Sequence, residues 1–372
     1  MRGPIVITGG GTGGHLYPMQ AIGDALVARG IAPAALRYVG SERGQESAIL
    51  GGGPIELTQL AGRGIRRSLS FDALVANFGA IVGLARAVVR AFLLVRRWRP
   101  AVVVSVGGYA SFAVSFAAFL RRRPLVLVEL DAAPGAAHRL FTRFATRRCS
   151  AFPSDDSRTV FTGAPLRAAL TTLDRSPSAR DAALARMSPS IDPTRTVVVV
   201  MTGSLGASRV NIAVSELAAR WATRRDVALI HVSGRRDFAD VSRRAPVLEG
   251  LDYRVIEFAD MAVLWQFCDV ALCRSGALTV AELTALGIAS VLVPLPGAPG
   301  DHQTKNATTL VDYGAARLLR DEDCDANSLA TLLDEVMEPT TRATMAHAAA
   351  ALGRVDATQA IVDVVLDVGN AP

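Results

Sequence analysis

The stretch "ITGGGTGGHLYPMQ", residues 7–20, decides how the chain folds, because it joins a short apolar strand to a helix through glycines. Gly9, Gly11 and Gly14 fit the pattern G-x-G-x-x-G that follows a strand in dinucleotide-binding folds. Glycines let backbone amides approach a ligand, and a helix beginning near Pro18 would point its positive end at the same place. The stretch therefore predicts a Rossmann-like unit with a ligand site at its first loop.

Short valine-rich runs alternate with longer helical stretches along the whole chain, which is the rhythm of parallel βα units. A second strand followed by glycines, "TGSLG" at residues 202–206, starts a second series. The predicted strands are Ile5–Thr8, Ala35–Val39, Val102–Val106, Leu125–Val128, Thr196–Met201, Val227–Val232, Tyr253–Glu257, Val270–Cys273 and Ser290–Val293. The sequence thus predicts an α/β fold with two Rossmann-like parallel-sheet domains, whose ligands lie outside the carboxyl ends of the strands.

The length of 372 residues exceeds what one ordinary core supports, which also favours two domains. We predict a first domain over 1–167, a linker over 168–195 and a second domain over 196–352. A C-terminal helix over 353–372 could pack back on the first domain. The four cysteines form no CxxC pair and have no histidine at metal spacing, so we expect reduced thiols, no metal site and a cytoplasmic protein without a secretion signal.

The two halves differ in charge. Residues 1–167 hold 21 arginines and nine acidic residues, a net +12, whereas the remainder holds 19 basic and 25 acidic residues, a net −6. The excess in the first half is either a solvated face of an arginine-rich chain or a surface for an anionic partner, namely nucleic acid, anionic lipid or a pyrophosphate.

The longest apolar stretch, residues 78–99, is interrupted by Arg86 and Arg90, so it does not predict a spanning helix. One option is a helix lying on a membrane surface with its apolar face in the headgroup boundary. The other is ordinary packing of that face on the sheet. The sequence leaves both open, with Arg121–Arg123 favouring the membrane slightly.

His15 follows the glycines at once, in a turn where its imidazole would be exposed. A lone histidine is usually structural, but the glycines leave this one little to pack against. An imidazole with a reference pKa of about 6.5 is suited to taking a proton at neutral pH. We therefore expect a catalytic or substrate-contacting role for His15.

Candidate groups for a nucleotide lie in the second half. Ser204 offers a hydroxyl for a phosphate, and small residues before Thr279 allow amides at a helix start to face a diphosphate. Glu282 could accept hydrogen bonds from two ribose hydroxyls, and Gln303 could bind further hydroxyls. A nicotinamide cofactor is disfavoured, because the second strand in "LRYVGSE" ends at Val39-Gly40-Ser41, without the acidic residue that would hold the ribose.

The motifs "GGGTGGHLYP", "VGGYAS", "GAPLR", "RSGALTVAE" and "DHQTKNA" resemble, in this order, the MurG family of glycosyltransferases. The resemblance implies a GT-B fold, with two Rossmann-like domains facing across a cleft. It implies inverting transfer of N-acetylglucosamine from UDP-N-acetylglucosamine to lipid I, the undecaprenyl-pyrophosphoryl-muramoyl-pentapeptide, forming lipid II in peptidoglycan biosynthesis. No cofactor and no nucleic acid is then expected, and the protein would lie peripherally on an anionic surface, the inner face of the cell membrane.

The resemblance also assigns site residues. His15 is the first candidate for the general base and Asp131 the second. The substrate-binding set that it implies is Thr12, Gly13, Gly14, Tyr109, Asp131, Arg167, Ser204, Phe258, Ala259, Ala277, Leu278, Thr279, Glu282 and Gln303.

Two departures from the family pattern are present. "VELD" at residues 128–131 stands where the family has "HEQN", so the histidine is gone and Asp131 replaces the asparagine. Leu205 stands where a glutamine is expected. The sequence therefore leaves open a related GT-B transferase with another lipid acceptor, a UDP-sugar epimerase and a non-catalytic UDP-sugar-binding paralogue.

Overall fold

The chain forms two compact units in a computed structural model. Unit 1 comprises Met1–Arg167 with Arg354–Pro372, and unit 2 comprises Ala168–Gly353. The segment 168–195, which the sequence predicts as a linker, lies within unit 2. The described residues are 3–11, 13–42, 44–61, 71–203, 206–246 and 248–371, with only the backbone described for 71–81.

Each unit is built on one twisted sheet in which every described strand pair is parallel. The strands of unit 1 are β1 (Ile5–Gly9), β2 (Leu36–Ser41), β3 (Glu56–Leu60), β4 (Val102–Gly107), β5 (Leu125–Glu129), β6 (Arg147–Ser150) and β7 (Thr159–Phe161). Those of unit 2 are β8 (Thr196–Met201), β9 (Val227–Val232), β10 (Asp252–Ile256), β11 (Val270–Cys273), β12 (Ala289–Leu292) and β13 (Ala316–Leu318). The orders are β3-β2-β1-β4-β5-β6-β7 and β10-β9-β8-β11-β12-β13.

Helices connect the strands and cover the sheets. The first five helices are α1 (Gly13–Ala28), α2 (Glu46–Leu50), α3 (Phe71–Trp98), α4 (Tyr109–Leu120) and α5 (Ala136–Phe141). Unit 2 contains α6 (Ala168–Thr171), α7 (Pro177–Ala185), α8 (Ser208–Arg220), α9 (Phe238–Arg244), α10 (Met261–Phe267), α11 (Ala277–Ala285), α12 (His302–Asp312), α13 (Ala326–Met337) and α14 (Pro339–Leu352). The last helix, α15 (Ala357–Asn370), belongs to unit 1. Short 3-10 turns lie at Pro33–Ala35, Pro299–Asp301 and Asp321–Asp323.

The nine predicted strands are all present, and their ends agree within two residues. The central strands are valine-rich because both of their faces are covered; β1, β4, β5 and β9 are buried at every residue. Four further strands, β3, β6, β7 and β13, escaped the sequence analysis. They lie at or next to sheet edges and are partly exposed, so they lack a continuous apolar run.

Helix α1 begins at Gly13, not near Pro18 as expected. Leu16, Pro18 and Met19 are buried on the helix face that meets the sheet. Their burial outweighs the low helix propensity of the two glycines, and a proline one turn inside the helix removes only one hydrogen bond. His15 therefore lies in the first turn of a helix and is half-buried.

Helix α3 has two apolar faces with different surroundings. Ala87, Ala91 and Val95 belong to the buried core of unit 1, whereas Val89 and Leu93 are exposed. One face thus packs in the core, as every βα unit requires. No helix within the described residues combines the length and hydropathy that crossing a bilayer requires.

Helix α15 completes unit 1. Thr358 accepts a hydrogen bond from Leu166 N through its Oγ1 atom at 3.2 Å and donates to the Leu166 carbonyl at 3.2 Å. The Arg354 guanidinium lies 4.7 Å from the ring centroid of Phe161. The chain end is therefore fixed to the first sheet by hydrogen bonding as well as by burial of Ile361 and its neighbours.

Candidate active site

Both sheets reverse their strand order beside the strand that precedes the glycines, at β1/β4 in unit 1 and at β8/β11 in unit 2. Ligands of open parallel sheets bind outside the carboxyl ends of the strands at such a point. We call residues 9–14 the unit 1 glycine loop and residues 202–207 the unit 2 glycine loop. The predicted contact residues Thr12 and Ser204 lie outside the described residues, as does Leu205.

In unit 1 the β4–α4 turn packs directly on the glycine loop. Gly108 has φ +88°, and a Cβ there would collide with the Gly10 carbonyl, so only glycine allows this approach. A Cβ at the preceding Gly107 would lie 3.1 Å from Nε2 of His15. The structure thus brings His15 together with the turn that carries Tyr109, the first residue of α4. Burial raises the pKa of the Tyr109 hydroxyl, which keeps it a neutral hydrogen-bond donor.

A second histidine, His138 on α5, lies behind this turn and was missed by the sequence analysis. It is buried, and its Nε2 lies 3.0 Å from Ser105 Oγ. Burial, together with the positive charges of His15 and Arg148, lowers the pKa of His138 to about 3. His138 is therefore neutral at physiological pH. In the sequence, the only indication that His138 lies near the site is that it follows Asp131 by seven residues.

The end of β5 carries a buried ion pair. Glu129 accepts hydrogen bonds from Arg148 at 3.2 Å and 2.8 Å, and Arg148 also donates to Asp156 at 2.7 Å. This bidentate pairing raises the pKa of Arg148 and occupies the Glu129 carboxylate. Asp131, the second candidate base, follows two residues later and is half-buried.

Arg167 lies against the first turns of α1. Its guanidinium carbon is 5.5 Å from the ring centroid of Tyr17, a cation–π distance. A Cβ at Gly13 would lie 3.1 Å from the same ring. The predicted residues Gly13 and Arg167 therefore share Tyr17 as a neighbour, and Gly14 follows in the same helical turn.

In unit 2 the first turn of α11 is formed by Ala277, Leu278 and Thr279. Its N-cap residue is Gly276, and this turn has no acidic residue and no capping side chain. The first N–H groups of a helix have no partner within it, and the helix dipole makes this end positive. The turn is therefore suited to binding an anion such as a diphosphate.

Glu282 lies one turn further along α11 and is oriented by a buried tryptophan. Its Oε2 accepts a hydrogen bond of 2.8 Å from the indole Nε1 of Trp265 on α10. Trp265 is completely buried. The sequence analysis missed Trp265, because nothing in its local pattern distinguishes it from an ordinary core residue.

Gln303 lies in the first turn of α12 and is tied to the neighbouring loops. Its Oε1 accepts from Leu295 N at 2.9 Å, and its carbonyl accepts from Ser275 Oγ at 2.8 Å. Asn306 donates to the Ser275 carbonyl at 3.1 Å, so α12 is fixed to the turn before α11. The amide nitrogen of Gln303 is the group that can donate to a ligand.

Phe258 follows β10 and presents an exposed ring. The Arg235 guanidinium carbon lies 5.3 Å from its centroid. Phe258 is 59% exposed, and Ala259 beside it is half-buried. The two residues follow the carboxyl end of β10, the same edge of the sheet from which the chain continues into α11 with Glu282.

Comparison with known proteins assigns both units to one class. Residues 5–150 match the description "Glycosyltransferase family 28 N-terminal domain", and residues 197–361 match "Glycosyltransferase family 28 C-terminal domain". Two parallel Rossmann-like units of this type define the GT-B class of sugar-nucleotide-dependent glycosyltransferases.

Similar proteins narrow this class. The "UDP-N-acetylglucosamine--N-acetylmuramyl-(pentapeptide) pyrophosphoryl-undecaprenol N-acetylglucosamine transferase" of Chromohalobacter salexigens is 36% identical, over 96% of this chain and 95% of that protein. The enzyme of the same name from Alkalilimnicola ehrlichii is 36% identical over 99% of both chains. The crystal structure of Acinetobacter baumannii MurG has a TM-score of 0.77 and 25% identity, covering 98% of this chain and 99% of that chain. The chain belongs to the MurG family.

The buried His138 predicts a pH dependence of stability. Unfolding exposes an imidazole that takes a proton below about pH 6.5, whereas the folded side chain stays neutral down to about pH 3. The free energy of unfolding should therefore fall with decreasing pH in this window, by about 1.4 kcal/mol per pH unit from this one group. Urea denaturation from pH 8 to pH 4 measures it.

The variant His138→Gln removes the titrating group and should show a shallower decline. His231, whose pKa burial also lowers to about 3, is present in both proteins and contributes the same background. Equal slopes for the two proteins between pH 6.5 and pH 4 would contradict the assignment.

Proposed function

We propose that the protein transfers N-acetylglucosamine from UDP-N-acetylglucosamine to lipid I, producing lipid II with inversion at the anomeric carbon. One observation carries the proposal: at the strand-order reversal of unit 2, an uncapped helix start is followed one turn later by a carboxylate that a buried indole holds in place. The helix start suits the diphosphate of a nucleotide, and the carboxylate suits the ribose next to it. Identity of 36% over nearly the full length to transferases named for this reaction supports it.

Unit 2 is the proposed donor-binding unit. The amides of Ala277, Leu278 and Thr279 would hold the diphosphate together with Ser204, and Glu282 would accept hydrogen bonds from the ribose hydroxyls. Phe258 and Ala259 would contact the uracil ring, and the amide nitrogen of Gln303 would donate to the transferred sugar. The donor nucleotide is therefore bound mainly by groups at one edge of one sheet.

Unit 1 is the proposed acceptor-binding unit, with Gly13, Gly14 and Tyr109 as contacts and Thr12 beside them, whereas Arg167 is a proposed contact of the donor. The acceptor hydroxyl attacks the anomeric carbon from the face opposite UDP. The new C–O bond forms as the bond to the diphosphate breaks, and the hydroxyl proton passes to a base. His15 is the first proposed base and Asp131 the second, each worth roughly 10²–10⁴-fold. The α11 amides stabilise the charge on the leaving diphosphate.

A related transferase that uses another lipid acceptor is the second candidate function. The observation that favours it is at the end of β5, where Val128 stands in place of the family's histidine and is 1% exposed. Leu130 is also buried. Neither side chain can bind an acceptor hydroxyl, so recognition at this strand end depends on Asp131.

The transfer assay tests the proposal. Purified full-length protein is incubated with radiolabelled UDP-N-acetylglucosamine and a lipid I analogue, and a labelled lipid product is expected. His15→Ala should reduce the rate by about 10²-fold or more, because a positioned base is lost. Labelling of only a different lipid would favour the second candidate. Release of a rearranged sugar without acceptor would identify an epimerase, and UDP binding without turnover a non-catalytic paralogue.

Donor binding should depend on the carboxylate and on its indole partner. Glu282→Ala removes both ribose hydrogen bonds, and Trp265→Phe leaves the carboxylate without its buried donor. We expect UDP affinity to fall about tenfold or more for each, since a hydrogen bond to a charged group contributes about 1.5–3 kcal/mol. Calorimetry with UDP measures the loss.

The matched control is Trp221→Phe, which changes another buried tryptophan of unit 2. Its UDP affinity should equal that of the wild type. Unchanged affinity in Glu282→Ala would refute the ribose assignment, whatever the transfer rate.

The proposed membrane contact is an apolar and basic surface of unit 1 formed by the ends of α3, α4 and α5. Phe119 and Phe144 contact each other, with ring centroids 4.4 Å apart, and the Arg121 guanidinium lies 5.7 Å from the Phe92 ring centroid. Leu93, Phe119 and Phe144 are exposed. Residues 73–128 contain eight arginines and no acidic residue. Such a surface fits an anionic bilayer, and it supports the proposal that the protein binds peripherally to the inner face of the cell membrane.

Sedimentation with vesicles tests this contact. The double variant Leu93→Ser and Phe144→Ser should bind anionic phosphatidylglycerol vesicles at least about tenfold more weakly, because burying one large apolar side chain contributes about 1.5–3 kcal/mol. Val263→Ser, an exposed apolar residue of unit 2, is the control. Equal sedimentation of all three proteins, or equal binding to neutral vesicles, would contradict the contact.

A further inference from the structure

The unit 1 glycine loop is wrapped around a carboxylate of the chain itself, that of Glu46. Glu46 lies at the start of α2 and is completely buried. Its Oε1 accepts hydrogen bonds from Gly11 N at 3.0 Å and from Ser41 N at 2.9 Å. One side chain therefore ties the loop after β1 to the end of β2.

The glycines around Glu46 make room for it. A Cβ at Gly10 would lie 2.5 Å from Oε1 of Glu46, and one at Gly40 would lie 2.6 Å from its Cγ. A Cβ at Gly44 would collide with Oε2. The glycine pattern that predicts close approach of backbone to a ligand thus also allows close approach of backbone to the Glu46 side chain.

Unit 2 has a carboxylate at the corresponding place, that of Asp237, which lies against Gly206 and accepts hydrogen bonds from side chains. A Cβ at Gly206, whose φ is +93°, would lie 2.7 Å from Oδ2 of Asp237. The same oxygen accepts from Ser208 Oγ at 3.1 Å and from Asn211 Nδ2 at 2.9 Å. Hydrogen bonds from Arg236 and Ser208 lower the pKa of Asp237, so it is ionised.

The two carboxylates occupy equivalent places in the two sheets. The second strand of unit 1 ends at Ser41 and Glu46 follows five positions later; the second strand of unit 2 ends at Val232 and Asp237 also follows five positions later. Each side chain then returns to the glycine loop of its own unit. The recurrence in two sheets with the same strand order indicates a common structural role.

Asp237 is in turn held by a buried polar chain. Asn211 Oδ1 lies 2.9 Å from His231 Nε2, and His231 Nδ1 lies 2.9 Å from the Tyr253 hydroxyl. Asn211 also donates to the Ser233 carbonyl at 3.0 Å. His231 on β9 and Tyr253 on β10 therefore hold Asn211, which in turn holds the Asp237 carboxylate. These hydrogen bonds have no part in the proposed chemistry.

We propose that Glu46 and Asp237 are positioning residues, one for each glycine loop. Glu46 fixes the loop conformation from which α1 starts at Gly13, and so holds His15 against Gly107. Asp237 fixes Gly206 and Ser208 at the start of α8. The assignment of the first loop to the acceptor and of the second to UDP rests on the proposed function.

Paired variants separate the two loops. Glu46→Ala removes the oxygen that accepts hydrogen bonds from Gly11 N and Ser41 N. Glu46→Gln retains a carbonyl oxygen that can accept both hydrogen bonds. Asp237→Ala and Asp237→Asn form the corresponding pair. Glu56→Ala, which changes an exposed residue at the start of β3, is the control for loss of an acidic residue from unit 1.

Three measurements follow for each variant: amide hydrogen exchange at Gly11 and Ser41, the Kd for UDP, and kcat and KM for transfer. Glu46→Ala should raise exchange at both amides at least about tenfold and lower kcat by about 10²-fold, since a shift of about 1 Å at a reacting group has that effect. Its Kd for UDP should stay within about twofold of the wild type. Glu46→Gln should retain most of the activity, because its side-chain oxygen can still accept the two backbone hydrogen bonds.

Asp237→Ala should show the opposite pattern. Its Kd for UDP should rise at least about tenfold, the equivalent of one lost hydrogen-bonded contact, while exchange at Gly11 stays unchanged. Asp237→Asn should lie between this variant and the wild type. The two alanine variants thus act as controls for each other.

Three outcomes would overturn the proposal: unchanged exchange at Gly11 and Ser41 in Glu46→Ala, equal loss of UDP affinity in both alanine variants, or Glu46→Gln as impaired as Glu46→Ala. Failure of the proposed function is distinguishable from these. If the wild type transfers no sugar or binds no UDP, the exchange measurement and its rescue by Glu46→Gln still decide the role of Glu46.

Discussion

The parallel pairing of β1 with β4, and of β8 with β11, is the constraint on which the candidate site depends. In each pair the two neighbouring strands run the same way, so their carboxyl ends and the loops that follow lie side by side. The helices that leave these loops go to opposite faces of the sheet, and a crevice remains between them. His15 and the Tyr109 turn meet at one such point, and the unit 2 glycine loop and the start of α11 lie at the other.

Buried polar contacts hold these loops in place. Glu129 is paired with Arg148, Glu282 receives the Trp265 indole, and Glu46 receives two backbone amides. A carboxylate taken out of water is stable only when hydrogen bonds replace its hydration. Each of these side chains therefore fixes the backbone or ring that contacts it, which gives the site a defined geometry before any substrate binds.

The two units differ in charge, and this difference fits a different proposed partner for each unit. Unit 1 carries the arginine excess and also exposes Leu93, Phe119 and Phe144, and both features would suit the proposed anionic lipid face. Unit 2 carries no such excess and instead presents an uncapped helix start, which suits one diphosphate. A membrane-bound acceptor and a water-borne nucleotide sugar would then approach different units. The electrostatic asymmetry visible in the sequence has a structural counterpart in these two sites.

The sequence by itself determined the two Rossmann-like units, their central strands and the glycine loops, because valine-rich runs and glycine patterns act locally. The residue pattern also indicated Glu282 and Gln303, and the family resemblance added Tyr109, Arg167, Phe258 and Ala259. Only the tertiary structure decided the edge strands, the start of α1 at Gly13, and the roles of Glu46, His138, Asp237 and Trp265. These residues act through partners far away in the chain, or through burial, and neither spacing nor composition records which side chains a parallel sheet brings into contact.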